Sequence, residues 1–532
     1  EVATDPQPTG SISPEYVVET DFDRISRAFG ELSIMAEPEI SKAVSDHYRN
    51  NRELIWLDEE LQPNAHARSV ISVLEDADAV GLEATDYDVG FPQPDTVIDL
   101  MEAARLEIAL TIAAIRYGMD ASAGRVDPNK LSGYHDFPKN RADATAVIEE
   151  ITSGGLPARK LKALNPDSDY FRALQTELSD IEQQSDGLIV IPAKTLIRPG
   201  DTHEQVPNIL AAIARKGSVE TAESAKAFLA QPEAIDTFTP EVVELVKAFQ
   251  KEKSLGADGV VGPNTIAKLT DVDPETKRER ILFAMERLRW HPKDLGSRHV
   301  FINQPSYTAR YVEDRKTELE MRVVVGKNSN QTSFFYDEIE TVEYNPYWGI
   351  PRSILVNEYL PKLRANPAYL DERGYEVTDR KGRQISSASV DWYTVGAKPP
   401  YDVRQRPGKS NALGELKILF PNKHAIYMHD TPSRNLFNRS TRAFSHGCVR
   451  LHQPREMAAA VLGTSVDYIG SRIAGGAHAS EDVPGNIPVY VAYFTAWPRD
   501  NGEVEYFADM YGRDGRLKKA LEVTHAARAA TS

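Results

Sequence analysis

The hydrophobic pattern of this chain changes from helical to strand-like along its 532 residues. Between about residues 40 and 180, apolar residues recur at three- and four-residue spacing, and residues 67–78 and 101–117 do so without internal proline. From residue 299 onward, short β-branched and aromatic runs such as 321–326 are bounded by turn residues. The change in pattern predicts a multidomain α+β protein in which a helical domain precedes a mostly-β domain.

A chain of this length can form three or more domains, each with its own core. The predicted organisation is a flexible N-terminal segment over 1–30, a helical scaffold domain over 31–190, a small three-helix module over 191–272, a linking helix within 273–298, a mostly-β domain over 299–515 with an insertion at about 356–408, and a tail over 516–532. A late hairpin is predicted across residues 498–502.

The composition excludes some classes of function. A net charge of −17 disfavours nucleic-acid binding, which depends chiefly on Lys and Arg. No run of 18 apolar residues is present, so no transmembrane helix is expected. A hydrophobic content of 41% and a mean hydropathy of −0.43 are ordinary for a globular protein. The polar, proline-containing start at Glu1 is typical of a mature terminus from which an export signal has been removed.

Cys448 is the single cysteine of the chain, and it lies in the polar stretch 445–450. A lone thiol cannot form an internal disulfide, and its polar neighbours make it a candidate nucleophile. The alternative is a buried structural thiol. Ser445, His446 and Arg450 argue against that alternative, because they seldom frame a core position.

A catalytic thiol needs a base, because its reference pKa of about 8.5 leaves it mostly protonated at neutral pH. His429, 19 positions before the cysteine, is the predicted base. If residues 424–429 form a strand, Tyr427 and His429 share one face and His424 lies on the other. Asp430 would then point away from the site, and we predict a structural role for it.

The remaining residues of the cysteine stretch suit acyl chemistry. Gly447 permits a sharp turn that presents backbone amides to a tetrahedral oxyanion. Arg450 could clamp a substrate carboxylate or brace the loop. His446 could line the oxyanion pocket or hold the loop.

The stretch 445–450, preceded by a histidine at this distance, resembles the signature of the L,D-transpeptidases, the YkuD-type cysteine enzymes of peptidoglycan synthesis. Residues 345–351, 404–408, 411–414 and 429–432 are similar to the large, periplasmic, YcbB-like branch of Gram-negative bacteria. The resemblance covers nearly the whole chain.

The resemblance implies Cys448 as the nucleophile and His429 as a base oriented by a main-chain carbonyl. It further implies an oxyanion pocket at His446 and Gly447, and substrate binding by Arg450, Tyr427, Ser445 and Trp348. The implied reaction joins peptidoglycan stem peptides by 3→3 cross-links without a metal or cofactor. Cell-wall synthases are expected partners, and the periplasm is the expected location.

Two further segments have a functional and a structural interpretation. The module over 191–272 is similar to a peptidoglycan-binding module, although its glycines at 256, 259 and 262 could simply form a tight loop. The insertion at 356–408 corresponds to a substrate-capping subdomain, or it is a surface elaboration that does not move.

Three alternatives to the transpeptidase interpretation remain at this point. Water or a protein lysine could replace the acceptor amine, which would give an L,D-carboxypeptidase or a protein-attaching enzyme. A zinc site could form from His424, His429, His446 and Cys448, although their spacing matches no standard zinc pattern. The chain could also be a non-catalytic wall-binding scaffold.

Overall fold

A computed structural model describes residues 20–29, 36–92, 96–138, 143–181, 189, 191–192, 194–230, 236–253, 255–270 and 273–530. It divides into two compact units. The first comprises Glu1–Arg125, Asn140–Pro166 and Val523–Ser532, and the second comprises Val126–Lys139 and Asp167–Glu522. Within the described ranges, no helix has the length and apolar character needed to cross a membrane.

The helices, in chain order, are α1 (Asp21–Phe29), α2 (Pro38–Asn50), α3 (Ala65–Glu75), α4 (Leu100–Ala123), α5 (Ala144–Thr152), α6 (Pro157–Ala163), α7 (Asp169–Ile181), α8 (Val206–Lys216), α9 (Val219–Leu229), α10 (Pro240–Glu252), α11 (Pro263–Leu269), α12 (Pro274–Leu288), α13 (Arg352–Ile354), α14 (Leu360–Ala365), α15 (Pro454–Leu462), α16 (Val466–Ala474) and α17 (Arg513–Ala529).

The strands are β1 (His135–Asp136), β2 (Arg298–Asn303), β3 (Thr308–Glu313), β4 (Lys316–Gly326), β5 (Phe334–Tyr344), β6 (Trp348–Gly349), β7 (Tyr375–Thr378), β8 (Gln384–Ile385), β9 (Asp402–Gln405), β10 (Leu416–Leu419), β11 (Met428–His429), β12 (Ala443–Ser445), β13 (Val449–Leu451), β14 (Ala479–Ala492), β15 (Ala496–Pro498) and β16 (Val504–Tyr506). The fold class is therefore the multidomain α+β class that the sequence predicts.

The first unit is helical, and α4 lies at its centre. Asp99 and Glu102 form a capping box that starts α4, and most of its residues are buried because apolar side chains occupy nearly every face. The buried carboxylate of Glu107 accepts hydrogen bonds from the Tyr48 hydroxyl and from the amides of Ile55 and Trp56. These bonds satisfy a polar group that would otherwise be costly to bury.

The small module of the second unit contains α8 to α11 and has its own apolar core. The side chain of Gln250 is 1% exposed and organises the glycine-containing loop that precedes α11. Its amide donates to Asp258 and to the Val260 carbonyl, and its carbonyl accepts from the Gly259 amide. The predicted turn between helices is thus held by one buried amide.

The large sheet of the second unit runs in the order β1-β5-β10-β11-β13-β4-β3-β2-β14. Because β14 also pairs with β5, the path of strands closes on itself. Apolar side chains from these strands form one core, and α15 and α16 pack against that core through Met457, Val461 and Ile469. The predicted late hairpin is present, since β15 pairs antiparallel with β16.

The insertion has a separate core and a separate sheet. Its strands pair in the order β6-β9-β7-β8, and Leu363, Val377 and Trp392 are among its buried residues. A π-helical turn, Leu355–Tyr359, connects α13 to α14. The insertion is therefore an independently packed subdomain, which we call the cap.

The structure differs from the predicted boundaries at several places. Within the segment expected to be flexible, residues 21–29 form α1, which buries Ile25. The expected tail is mostly α17. The cap begins with β6, before the predicted residue 356. Within the predicted scaffold segment, β1 pairs with β5 and α7 packs beside α12, and both lie in the second unit.

His291 provides a test of how this unit is stabilised. Its ring is buried among Phe137, Phe334, Tyr490 and other aromatic rings, and neither ring nitrogen has a hydrogen-bond partner among the described residues. Burial lowers the pKa of His291 to about 3.

We expect His291→Phe to stabilise the second unit by about 1–2 kcal/mol at pH 8, because it removes unsatisfied buried polar atoms. The gain should be about 2 kcal/mol larger at pH 5. Below about pH 6.5 the unfolded histidine binds a proton that the folded one does not, so the wild type loses stability there. Denaturant unfolding at pH 8 and pH 5 measures the change in the free energy of unfolding. His478→Phe, at an exposed position, is the control. An equal gain in stability at both pH values would contradict the lowered pKa of His291.

Candidate active site

The loop that joins β12 to β13 carries Cys448, the predicted nucleophile, and Ser445 holds it in a tight turn; we call it the nucleophile loop. The Ser445 hydroxyl donates to the carbonyl oxygen of Cys448 at 2.6 Å and accepts from the Gly447 amide at 3.1 Å. Gly447 has φ of +120°, a backbone conformation that favours glycine. Ser445 therefore shapes the loop, and the Gly447 amide is already engaged within it.

A second hydroxyl, which the sequence analysis did not identify, holds the loop from the other side. Thr332 is fully buried; its Oγ1 donates to the Gly447 carbonyl at 2.7 Å and accepts from the Gly326 amide at 2.9 Å. A Cβ on Gly326 would lie 2.1 Å from the Asn330 carbonyl oxygen, so glycine is required there. Thr332 is 116 residues from Cys448 in sequence, and only the fold brings it to the loop.

The Cys448 thiol is half-buried and faces polar partners. Its Sγ lies 3.6 Å from the carbonyl oxygen of Ala425, a residue with φ of +53°. The side chain of Tyr427 lies close enough to affect the thiol, and Trp348 lies close to Tyr427. Burial raises the pKa of the Cys448 thiol, and the hydrogen bonds from Tyr427 oppose this increase. The resting thiol is therefore protonated at neutral pH.

His429 lies on β11, directly beside the strand that follows Cys448. β11 and β13 are parallel, with Met428 opposite Val449 and His429 opposite Arg450. The Nδ1 atom of His429 donates to the main-chain carbonyl of Asp430. Burial, together with the positive charge of the nearby Arg450, lowers the pKa of His429 to about 3. His429 is thus neutral, and its Nε2 carries the free lone pair.

Asp430 has a structural role. Its carboxylate accepts a hydrogen bond from the Glu415 amide at 3.0 Å. Gly414 has φ of +62°, and a Cβ there would lie 2.1 Å from Oδ2 of Asp430. These contacts fix the backbone whose carbonyl oxygen orients His429.

Two cations lie next to the thiol and the imidazole. Arg450 has a buried Nε with no hydrogen-bond partner in the described part of the chain. Lys417 is the register partner of His429 on β10, and its Nζ lies 4.8 Å from the centre of the Tyr427 ring and 3.4 Å from Glu343. Both cations favour the thiolate form of Cys448. The unpaired guanidinium can bind a carboxylate from outside the chain.

His446 and His424 contact different acidic residues. His446 contacts Glu358 of the cap, with Nε2 2.6 Å from Oε1, and Lys327 Nζ lies 3.3 Å from the same nitrogen. His424 Nε2 is 3.1 Å from the carboxylate of Asp136. These histidines and Cys448 do not share a ligand set, and the described residues contain no cluster of three His, Cys, Asp or Glu side chains suited to a metal.

The predicted strand over 424–429 is shorter than expected. Only Met428 and His429 form β11, because the positive φ of Ala425 breaks the extended backbone. The local face assignment still holds at the end of the segment: the rings of Tyr427 and His429 are 5.7 Å apart, while Met428 is buried in the core. His424 is separated from His429 by the turn and not by strand alternation.

Comparisons with known proteins agree with this architecture. Residues 297–482 match the family described as the L,D-transpeptidase catalytic domain, YkuD. Residues 42–178 match a family described as "Scaffold domain", and residues 225–269 match one described as "Putative peptidoglycan binding domain". A Haemophilus influenzae protein named "Putative L,D-transpeptidase" is 35% identical over 275 residues, which is 50% of this chain and 55% of that relative. The match therefore spans about half the length of the relative.

The closed sheet, the cysteine loop and the match over residues 297–482 show that this part of the second unit is similar to L,D-transpeptidase catalytic domains of the YkuD type. The matches agree with the family resemblance drawn from the sequence: separate parts of the chain are similar to catalytic, scaffold and peptidoglycan-binding domains.

The effect of Tyr427 on the pKa of Cys448 leads to a prediction. We expect Tyr427→Phe to raise the pKa of the Cys448 thiol, because burial already raises it and the hydroxyl that opposes this increase is lost. The rate of alkylation by iodoacetamide, followed by mass spectrometry as a function of pH, should then inflect at a higher pH. Tyr393→Phe is the control, since Tyr393 is 74% exposed on the cap. An unchanged inflection would show that Tyr427 does not tune the thiol.

Proposed function

We propose that this protein is an L,D-transpeptidase that acts on peptidoglycan stem peptides through a thioester on Cys448. The observation that carries the proposal is the neutral His429, held by a main-chain carbonyl through Nδ1, on the strand paired with the one that follows Cys448. The catalytic-domain match to residues 297–482 supports the reaction class.

In the first step, Nε2 of His429 accepts the thiol proton as Cys448 attacks the carbonyl of the third residue of a donor tetrapeptide. The Gly447 amide is occupied by Ser445, and the Cys448 amide has no partner among the described residues, so the Cys448 amide is the donor proposed for the oxyanion. The carbon–nitrogen bond to the terminal D-alanine then breaks. The protonated His429 returns its proton to the leaving amine, and the thioester remains.

In the second step, the side-chain amine of diaminopimelate on a neighbouring stem attacks the thioester. The new carbon–nitrogen bond forms a 3→3 cross-link, and the thiol of Cys448 is restored. No metal or cofactor is required for either step.

Arg450, Tyr427 and Trp348 are the proposed substrate contacts. Arg450 suits a stem carboxylate, because no carboxylate from the described residues pairs with its guanidinium. Trp348 belongs to the cap sheet through β6, and its indole reaches Tyr427 beside the thiol. This contact supports a cap that covers the donor stem.

The small module is proposed to bind the cell wall, on the basis of its match to a peptidoglycan-binding family. Asn264 of this module donates to the hydroxyl of Ser440 at 3.2 Å, which joins the module to the segment that precedes β12. A periplasmic location and contact with cell-wall synthases follow from the same proposal.

A hydrolase that uses the same thioester is the second candidate, because Cys448 and His429 would form it equally well for water. Mass spectrometry of the protein incubated with disaccharide tetrapeptides separates the two. Cross-linked dimers support the transpeptidase, and tripeptides alone would support an L,D-carboxypeptidase. Absence of any turnover or adduct would overturn both.

The base is tested by comparing two histidines. His429→Ala should abolish cross-linking at neutral pH, a loss of at least about 100-fold, because acylation then lacks a proton acceptor. Higher pH should partly rescue acylation by ionising the thiol. His424→Ala removes a contact to Asp136 and should retain turnover. Full activity of His429→Ala would assign the base elsewhere.

The nucleophile is tested with a carbapenem. We expect a covalent adduct on Cys448, because a thiolate in an acyl-transfer site attacks strained acyl donors. Mass spectrometry of the intact protein measures the adduct. Cys448→Ala should give none, and an adduct that survives this substitution would refute the assignment.

A further inference from the structure

Three cations lie around the nucleophile loop. Arg450 and Lys417 lie close enough to affect the thiol, and Lys327 lies 3.3 Å from Nε2 of His446. Glu343 pairs with Lys417 at 3.4 Å, whereas Arg450 and Lys327 form no ion pair among the described residues. Such a field attracts the carboxylates of a donor stem and repels an ammonium group. An acceptor that arrives with a protonated amine therefore needs a compensating negative charge near the nucleophile loop.

Glu358 supplies that charge from the cap. Its Oε1 lies 2.6 Å from Nε2 of His446, two residues before Cys448. Among the described residues, no other carboxylate hydrogen-bonds to a side chain of residues 445–450. The Glu358 side chain is 42% exposed, so the carboxylate keeps lone pairs available for a second donor.

The backbone around Glu358 is unusual. It lies in the π-helical turn Leu355–Tyr359, between α13 and α14. Such turns are rare and occur often at functional sites, because the extra residue changes the direction of the side chains. Here the turn carries a carboxylate that contacts the catalytic motif from a separately packed subdomain.

We propose that Glu358 binds the ammonium group of the acyl acceptor and makes this site selective for amines over water. The inference rests on the proposed transpeptidase function. Arg450 holds the donor carboxylate and Glu358 holds the acceptor, so the two substrates are recognised by opposite charges. The bound ammonium loses one proton to solvent before it attacks. The carbon–nitrogen bond then forms, the carbon–sulfur bond breaks, and the second amine proton passes to His429 and on to the departing sulfur.

The test uses the full chain with disaccharide tetrapeptide as donor and acceptor. Two quantities are measured: the rate of acyl-enzyme formation on Cys448, and the ratio of cross-linked dimer to hydrolysed tripeptide. In Glu358→Gln, acylation should stay within about twofold of the wild type, while the ratio should fall about tenfold or more, as expected for losing a charge-assisted hydrogen bond. Glutamine keeps an acceptor for His446, so the contact with the cap is retained.

Two controls isolate the charge. Hydroxylamine is neutral at pH 7, so its capture of the thioester should be equal in Glu358→Gln and the wild type. Glu372→Gln changes another exposed carboxylate of the cap, which pairs with Arg373, and should leave the ratio unchanged. Glu358→Asp keeps the charge and should restore part of the ratio.

The outcomes separate the two proposals. If acylation and cross-linking fall together in Glu358→Gln, Glu358 is a structural contact and the inference is overturned. An unchanged ratio, or an equal loss with hydroxylamine, also overturns it. If the wild type forms no acyl-enzyme at all, the proposed function fails first, independently of Glu358.

Discussion

The parallel pairing of β11 with β13 is the contact on which the candidate site depends. Each strand has at most three residues, so neither could persist outside the closed sheet. They lie between β10 and β4, and Met428 and Val449 are fully buried in the common core. Core packing therefore sets the register that brings two residues 19 positions apart in sequence onto neighbouring chain segments.

Burial also decides the protonation of the site. It raises the pKa of Cys448 and lowers that of His429, so both groups rest in their neutral forms. In the proposed mechanism a neutral pair suits proton transfer, because His429 would have a free lone pair when the substrate arrives. Lys417 and Arg450 would then stabilise the thiolate. The main-chain carbonyl of Asp430 contributes orientation without adding a negative charge.

The site is assembled from two separately packed parts of the same unit. The closed sheet provides Cys448, His429 and Arg450, while the cap provides Trp348 and Glu358. A cap with its own core can keep its internal structure even where it touches the nucleophile loop through few contacts. In the two proposals, the closed sheet carries out the chemistry and the cap takes part in recognising the substrates.

The sequence by itself determined the fold class, the catalytic-domain family and the likeness of the small module to peptidoglycan-binding domains, because these depend on local periodicity and on a short, specific motif. The roles of Cys448 and His429 stay predictions. Tertiary structure alone decided three contacts: His424 with Asp136, Thr332 with the Gly447 carbonyl, and Glu358 with His446. It also placed β1 and α7 in the second unit and showed that the expected tail is mostly a helix. Each of these features depends on residues far apart in sequence or on packing against another element. A local sequence pattern reports only on neighbouring residues, so it cannot predict such contacts.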